Sequence, residues 1–207
     1  MRYDSLIFDI DGTLWDSREL VAQGYNRELE KEGMPQYQVT AHQLKALFGK
    51  PLPEIADILF ADLPQDQRLP LILRCTDTQN RFLHENPCHI GYPQALETIK
   101  ALSQHYRLFI VSNSEQGYPE LCMEKLGLTP YIEDHLCFGD THTSKGKTIR
   151  TLMEKNRIEV PAYIGDTQGD YEATLEAGIP FIWAAYGFGT PEGWDHKIEA
   201  LSQLLSL

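Results

Sequence analysis

The sequence predicts an α/β fold: a parallel-sheet core carrying a small inserted α-helical domain. From residue 91 onward, short apolar runs alternate with amphipathic stretches, the pattern of a parallel sheet covered by helices on both faces. One further apolar run, Leu6-Ile7-Phe8, stands near the N-terminus, about 95 residues before the next, Leu108-Phe109-Ile110-Val111. A βαβ unit needs only about 30 residues, and the stretch between shows little strand signal. We therefore place the core at residues 1–15 and 87–207 and an inserted helical module at 16–86.

Taken in order, Leu6 to Phe8 is a buried strand running into the turn Asp9-Ile10-Asp11-Gly12-Thr13. Ser17 to Glu32 reads as a helix, with Leu20, Tyr25, Leu29 and Met34 at helical spacing; Gly33 and Pro35 end it. Helices follow at Ala41–Phe48, Pro53–Phe60 and Asp66–His84. In the second part of the core, helices at Pro93–His105, Pro119–Leu126, Gly146–Lys155 and Tyr171–Ala177 alternate with strands at Leu108–Val111, Leu136–Phe138, Ala162–Ile164 and Pro180–Ala184. A final amphipathic helix is expected, with Ile198, Leu201, Leu204 and Leu205 on one side.

Composition excludes several classes. Thirty Asp and Glu against eighteen Lys and Arg give a formal net charge of −12, a field that repels nucleic acid polymers. The longest apolar run is six residues, Phe181 to Tyr186, where a membrane span needs about 20. Nothing after Met1 resembles a secretory signal. Cys75, Cys88, Cys122 and Cys137 form no Cys-x-x-Cys pair, so neither a zinc knuckle nor a thioredoxin-type pair is signalled. The expectation is a cytoplasmic protein with reduced thiols, monomeric or homodimeric.

The chemistry sits at strand ends. Asp9 and Asp11 close the first strand; their side chains share one face if extended geometry persists. Asp166 closes another strand, and Asp170 lies where the next helix should begin. Ligands of an open parallel sheet bind beyond the carboxyl ends of its strands. Carboxylates converging there repel one another unless a cation joins them, and a few hard oxygen ligands favour Mg²⁺.

Asp9-Ile10-Asp11-Gly12-Thr13-Leu14 resembles the first motif of the haloacid dehalogenase superfamily, and Val111-Ser112-Asn113-Ser114 is similar to the second. Lys145, in Ser144-Lys145-Gly146-Lys147, fits the third, and Gly165-Asp166-Thr167-Gln168-Gly169-Asp170 the fourth. The segments Ala177-Gly178-Ile179-Pro180 and Tyr186-Gly187-Phe188-Gly189 further resemble the phosphoglycolate phosphatase branch, which carries a helical cap between the first two motifs. The resemblance implies a Rossmann-like core and a Mg²⁺-dependent phosphatase acting on a small phosphorylated metabolite, phosphoglycolate first among the candidates.

It also implies roles. Asp9 would attack phosphorus to form an aspartyl-phosphate. Asp11 would protonate the leaving oxygen and then deprotonate water. Asp9, Asp166 and the Asp11 backbone carbonyl would hold the metal, with Asp170 behind them. Ser112, Asn113 and Lys145 would bind the phosphoryl oxygens. Dehalogenase members lack the second Asp, so Asp11 argues for phosphoryl transfer. Many relatives follow the third-motif Lys with Pro-x-Pro; here Gly146-Lys147-Thr148 follows, which makes Lys147 a rival to Lys145.

Specificity is expected from the inserted module, whose residues 17–86 carry a net charge of only −2. Lys50, in Phe48-Gly49-Lys50-Pro51, resembles the family's cap loop and could meet a second anionic group of the substrate; Arg74 and Arg81 are weaker choices. Trp15 and Asp16 are expected at a hinge, with Trp15 either packing or contacting substrate, and His135 and His142 are expected to be structural. A phosphosugar mutase, a pyrophosphatase or nucleotidase, and a catalytically silent regulatory protein on the same fold remain alternatives.

Overall fold

The computed structural model describes residues 3–87 and 89–206, so Cys88 lies outside the described residues. In chain order the elements are β1 (Ser5–Phe8), α1 (Arg18–Lys31), α2 (Ala41–Lys45), α3 (Leu52–Leu59), α4 (Gln65–Glu85) and α5 (Ala95–Leu102). They continue with β2 (Arg107–Ser112), α6 (Tyr118–Leu126), β3 (Asp134–Cys137), α7 (Phe138–Thr141), α8 (Lys145–Asn156), β4 (Pro161–Gly165), α9 (Gln168–Ala177), β5 (Phe181–Ala184) and β6 (His196–Ile198). The chain divides into two compact units: one runs through Asp16 and resumes at Ile90, the other is Ser17–His89. Among the described residues no helix is long and apolar enough to cross a membrane.

The first unit is a six-stranded sheet ordered β3-β2-β1-β4-β5-β6, with every neighbouring pair parallel. Because successive strand residues point to opposite faces, Ile7, Phe109, Val111, Tyr163, Phe181 and Trp183 share one face. They pack there with Ile149 and Leu152 of α8 and Ala173 of α9. The central strands are buried on both faces, as the unbroken apolar runs require. Leaving β1, the chain first builds outward through β2 and β3, then crosses back to place β4 on the other side of β1. The strand order reverses between β1 and β4, and the carboxyl ends there open the crevice where such sheets bind ligands.

The second unit is helical throughout its regular structure. Gly24 of α1 faces the backbone of Gln79 on α4, where a Cβ would lie 2.6 Å from the Gln79 Cα. The glycine therefore sets how closely these two helices approach. Within this unit Arg74 pairs with Glu32 at 3.2 Å, and Arg81 donates to the Thr78 hydroxyl at 3.0 Å.

The C-terminus departs from the expected single helix. Ile198 ends the edge strand β6, which pairs with β5 in the register Ile182↔His196 to Ala184↔Ile198. A 3₁₀ helix, Leu201–Ser206, follows. At three residues per turn Leu201 and Leu204 share a buried face, whereas Leu205 is 53% exposed. Helix α9 begins three residues earlier than the apolar pattern indicates, so Asp170 is its third residue. Strand β3 ends at Cys137, and Phe138 opens the short helix α7.

Replacing Gly24 by Ala should destabilise the helical unit by about 1–3 kcal/mol, the usual cost of forcing atoms into a packed contact. Alanine's helix preference of about 1 kcal/mol acts in the opposite direction. Urea unfolding measures the balance, and a rise in stability would contradict the close-approach reading.

Candidate active site

The parallel register brings three of the four sequence motifs level. Phe8 pairs with Ile110 on one side and Ile164 on the other, so Ser112 and Asp166 each lie two residues beyond that row and Asp9 one. The Asp9 amide still donates to the Ile164 carbonyl at 2.9 Å. Beyond Asp9 the extended geometry does not persist: the amides of Thr13, Leu14 and Trp15 all donate to the Ile10 carbonyl, curling residues 10–15 into a turn. Asp11 is therefore placed by this turn, not by a strand pleat. Its Oδ1 accepts from the Trp15 indole N–H and from the Tyr118 hydroxyl, both at 2.9 Å.

Asp170 is fixed by its own helix. Thr167 is the N-cap of α9 and accepts from the Asp170 amide at 3.2 Å, and Asp170 returns its carboxylate to the cap, a capping box. Its Oδ2 accepts from the Asp166 and Thr167 amides at 3.1 and 3.0 Å and from the Thr167 hydroxyl at 2.8 Å. Its Oδ1 points to Lys145, whose ammonium donates to it at 2.6 Å and to Asp9 Oδ1 at 2.9 Å. Lys145 is the first residue of α8 and is buried, with Ser144 as N-cap. A cation in the first turn opposes the helix dipole; the two carboxylates are what make the position tolerable. Lys147, the sequence rival, is exposed.

Asp166 is held from the loop after β5. The Phe188 amide donates to its Oδ2 at 2.6 Å, and the Tyr186 hydroxyl donates to the Thr13 carbonyl at 2.8 Å, tying the same loop to the turn after Asp9. A Cβ on Gly187 would overlap Asp166 and the Gly12 carbonyl, so only glycine lets the loop pass this close. The other oxygen, Asp166 Oδ1, is buried and accepts no hydrogen bond among the described residues.

Oxygens of Asp9, Asp166 and Asp170 all lie within 4.8 Å of one another, and all three residues are buried. Against three carboxylates stands one ammonium. Burial raises the Asp9 carboxyl, Lys145 opposes it, and the nearby Asp170 and Asp11 charges add to it, leaving it at about 7. Burial, then the Asp170 and Asp9 charges, push Asp166 well above the carboxylate range. For Asp170 burial acts upward too, but Lys145 and the capping donors outweigh it and its carboxyl is lowered. The Lys145 ammonium, disfavoured by burial, is nevertheless raised by the same two carboxylates.

The cluster suits a small hard cation. Asp166 Oδ1 is an orphaned carboxylate oxygen, which costs free energy when buried, and it lies with Asp9 in a set of oxygen donors that favours Mg²⁺. Asp170, each of whose oxygens already accepts from a donor, is suited to anchoring Lys145 and the β4–α9 turn.

Of the other residues singled out by sequence, Ser112 and Asn113 stand at the carboxyl end of β2, beside β1; the Ser112 hydroxyl accepts from the Ser114 amide at 3.2 Å. Lys50 belongs to the helical unit, where it lies 3.6 Å from Glu54 one helical turn on. His135 pairs with Glu120 at 3.2 Å, and His142 meets Phe138 edge to face. Sequence reasoning missed the Phe188 amide, the Tyr118 hydroxyl and the Trp15 indole as site groups. The Tyr-Gly-Phe-Gly run carries a signal for the first; no local signal exists for Tyr118.

Comparison with known proteins gives one consistent answer. The model of a family described as haloacid dehalogenase-like hydrolase matches residues 6–184. A phosphoglycolate phosphatase of Aquifex aeolicus is 26% identical over 191 residues, covering 88% of this chain and 85% of the relative. One from Agrobacterium fabrum is 29% identical over 193 residues, covering 88% and 80%. Among solved structures, a haloacid dehalogenase-like family hydrolase from Streptococcus pneumoniae superposes with a TM-score of 0.83 at 20% identity, covering 99% of this chain and 97% of that one.

The charge imbalance has a measurable sign. The folded Asp9 carboxyl sits at about 7 against 3.8 for an ordinary aspartate, so in chelator the folded state holds a proton that the unfolded chain releases. Stability from this group is full below about pH 4 and is lost as pH rises to about 7. Asp9→Asn removes the titration, so its stability relative to wild type should climb between pH 5 and pH 8 in urea unfolding with chelator. A constant difference would contradict the picture.

Proposed function

The chain belongs to the haloacid dehalogenase-like hydrolases, and on that premise we propose that it is a Mg²⁺-dependent phosphatase of a small phosphorylated metabolite, working through an aspartyl-phosphate on Asp9. The observation that carries the reading is the pairing of Asp9 Oδ1 with Lys145 at 2.9 Å beside the orphaned Asp166 Oδ1. On this reading a nucleophilic carboxylate, an ammonium for the phosphoryl oxygens and a carboxylate oxygen suited to a cation lie together beyond the carboxyl ends of β1 and β4.

Asp9 and Asp166, with the Asp11 backbone carbonyl, would hold Mg²⁺, which when bound neutralises charge on the phosphoryl oxygens and favours the ionised form of Asp9. Asp9 attacks phosphorus, and the ester oxygen leaves as Asp11 delivers its proton. Water then attacks the same phosphorus, giving its proton back to Asp11, and the bond to Asp9 breaks. Lys145 stays ionised throughout because Asp170 remains its partner whatever happens to Asp9. Together with Ser112 and Asn113 it would bind the phosphoryl oxygens, where stabilisation of developing charge is most of the catalysis.

The relatives named phosphoglycolate phosphatase support phosphoglycolate as the substrate. Lys50 is proposed to meet the substrate's second anionic group, a role in which it would exchange its Glu54 contact for the substrate.

Phosphate release across a panel of phosphorylated metabolites, with Mg²⁺ and with chelator, tests the reading. Release should require Mg²⁺ and vanish in Asp9→Asn, a nearly isosteric change. Lys145→Ala should lower kcat by about 10²–10³-fold, the range found for other donors to a developing oxyanion. If Lys147→Ala were the damaging substitution instead, the assignment of the phosphoryl-binding lysine would fail.

A further inference from the structure

We infer that Tyr118 and Trp15 form a two-donor clamp that fixes which oxygen of Asp11 carries the transferred proton. The inference rests on the phosphatase reading above and adds two positioning residues to it.

Tyr118 comes from far away in sequence. After β2 the chain turns and enters α6, whose first residue is Tyr118, followed by Pro119 in the first helical turn. Its ring meets Trp15 edge to face, with centroids 5.5 Å apart, and both side chains are buried. Trp15 closes the turn that begins at Ile10 and is tied down again by pairing with Gly91. The two rings thus brace each other, and their polar atoms converge on one acceptor, Asp11 Oδ1, at 2.9 Å each.

Burying a tyrosine and a tryptophan calls for an acceptor for each, and a backbone carbonyl would serve that need. Here both donors instead take the same oxygen of the carboxylate proposed as general acid and base. A carboxylate oxygen offers two in-plane acceptor positions, so two donors fill Oδ1. Protonating Oδ1 would displace a donor into a buried site, which is costly. The proton that Asp11 gives to the leaving oxygen, and recovers from water, is therefore carried on Oδ2. With Oδ1 pinned from two directions, the plane of the carboxyl and the direction of Oδ2 are also set. Geometry held this way is what general acid catalysis needs.

The test is leaving-group selectivity. Protonation of the leaving oxygen matters for an alkyl phosphate and little for p-nitrophenyl phosphate, whose leaving group is already stable as an anion. With Mg²⁺ present, kcat/KM would be measured for p-nitrophenyl phosphate and for 2-phosphoglycolate, or for the alkyl phosphate cleaved fastest in the panel. Wild type would be compared with Asp11→Asn, Tyr118→Phe and Trp15→Phe. The ratio of the two constants does not change with the fraction of folded enzyme, so poor folding of a variant cannot mimic the effect.

The ratio should rise steeply in Asp11→Asn and by about tenfold in Tyr118→Phe and Trp15→Phe, part of the 10²–10⁴ that a positioned acid supplies. A wild-type ratio in Tyr118→Phe and Trp15→Phe, with Asp11→Asn shifted, would overturn the clamp and leave the phosphatase reading intact. A wild-type ratio in Asp11→Asn, or no phosphate release from any substrate by wild type, would overturn both.

Discussion

Three buried carboxylates gathered around one buried ammonium are the constraint on which the rest of the structure depends. Asp9, Asp166 and Asp170 lie within 4.8 Å of one another with Lys145 as their cation. Buried charge is tolerated only when it is paired and hydrogen-bonded, and the surrounding architecture shows how each group is held. The turn into α9 supplies three donors to Asp170, two of them from its N-cap Thr167. The Phe188 amide supplies one to Asp166, and Lys145 starts a helix against its dipole to stand between Asp9 and Asp170. What is left over is Asp166 Oδ1, a buried carboxylate oxygen with no donor among the described residues, in a cluster that could hold a metal ion.

The sheet explains why these groups meet. Parallel strands end at one edge, and the reversal of strand order between β1 and β4 leaves a crevice at that edge. Asp9 and Asp166 flank it from adjacent strands, while Ser112 stands on the other neighbour of β1. Helices α8 and α9 pack on one face through Ile149, Leu152 and Ala173, and this packing brings Lys145 and Asp170 to the same edge. The apolar core and the polar site are thus two ends of the same elements, and shifting α8 in its groove would move Lys145 away from Asp9.

Much of this was legible in the sequence because it is written locally. Apolar runs of three or four residues followed within two positions by Asp or Ser mark buried strands with polar ends. The gap before Leu108 exposes the helical insertion, and Lys145, two residues from Lys147, stands at the register that the structure turns inward. The C-terminal strand was not legible: His-Lys-Ile offers one buried side chain, and Leu201 and Leu204, three apart, fit an α-helix and a 3₁₀ helix equally well. Nor was the hold on Asp11, since Tyr118 lies 107 residues from its partner. Trp15 could be placed in the right turn but not given an acceptor. Backbone donors such as the Phe188 amide leave no mark in side-chain chemistry, and only the glycine before it hints at a close approach.

The central claim is that Asp9 takes the phosphoryl group. Acid-quenching the enzyme during turnover of its best substrate with Mg²⁺, then mapping the modified peptide by tandem mass spectrometry, tests it directly. The account requires one phosphoryl group on Asp9. A phosphoryl group on any other residue would contradict it, as would phosphate release with no modified peptide at any quench time.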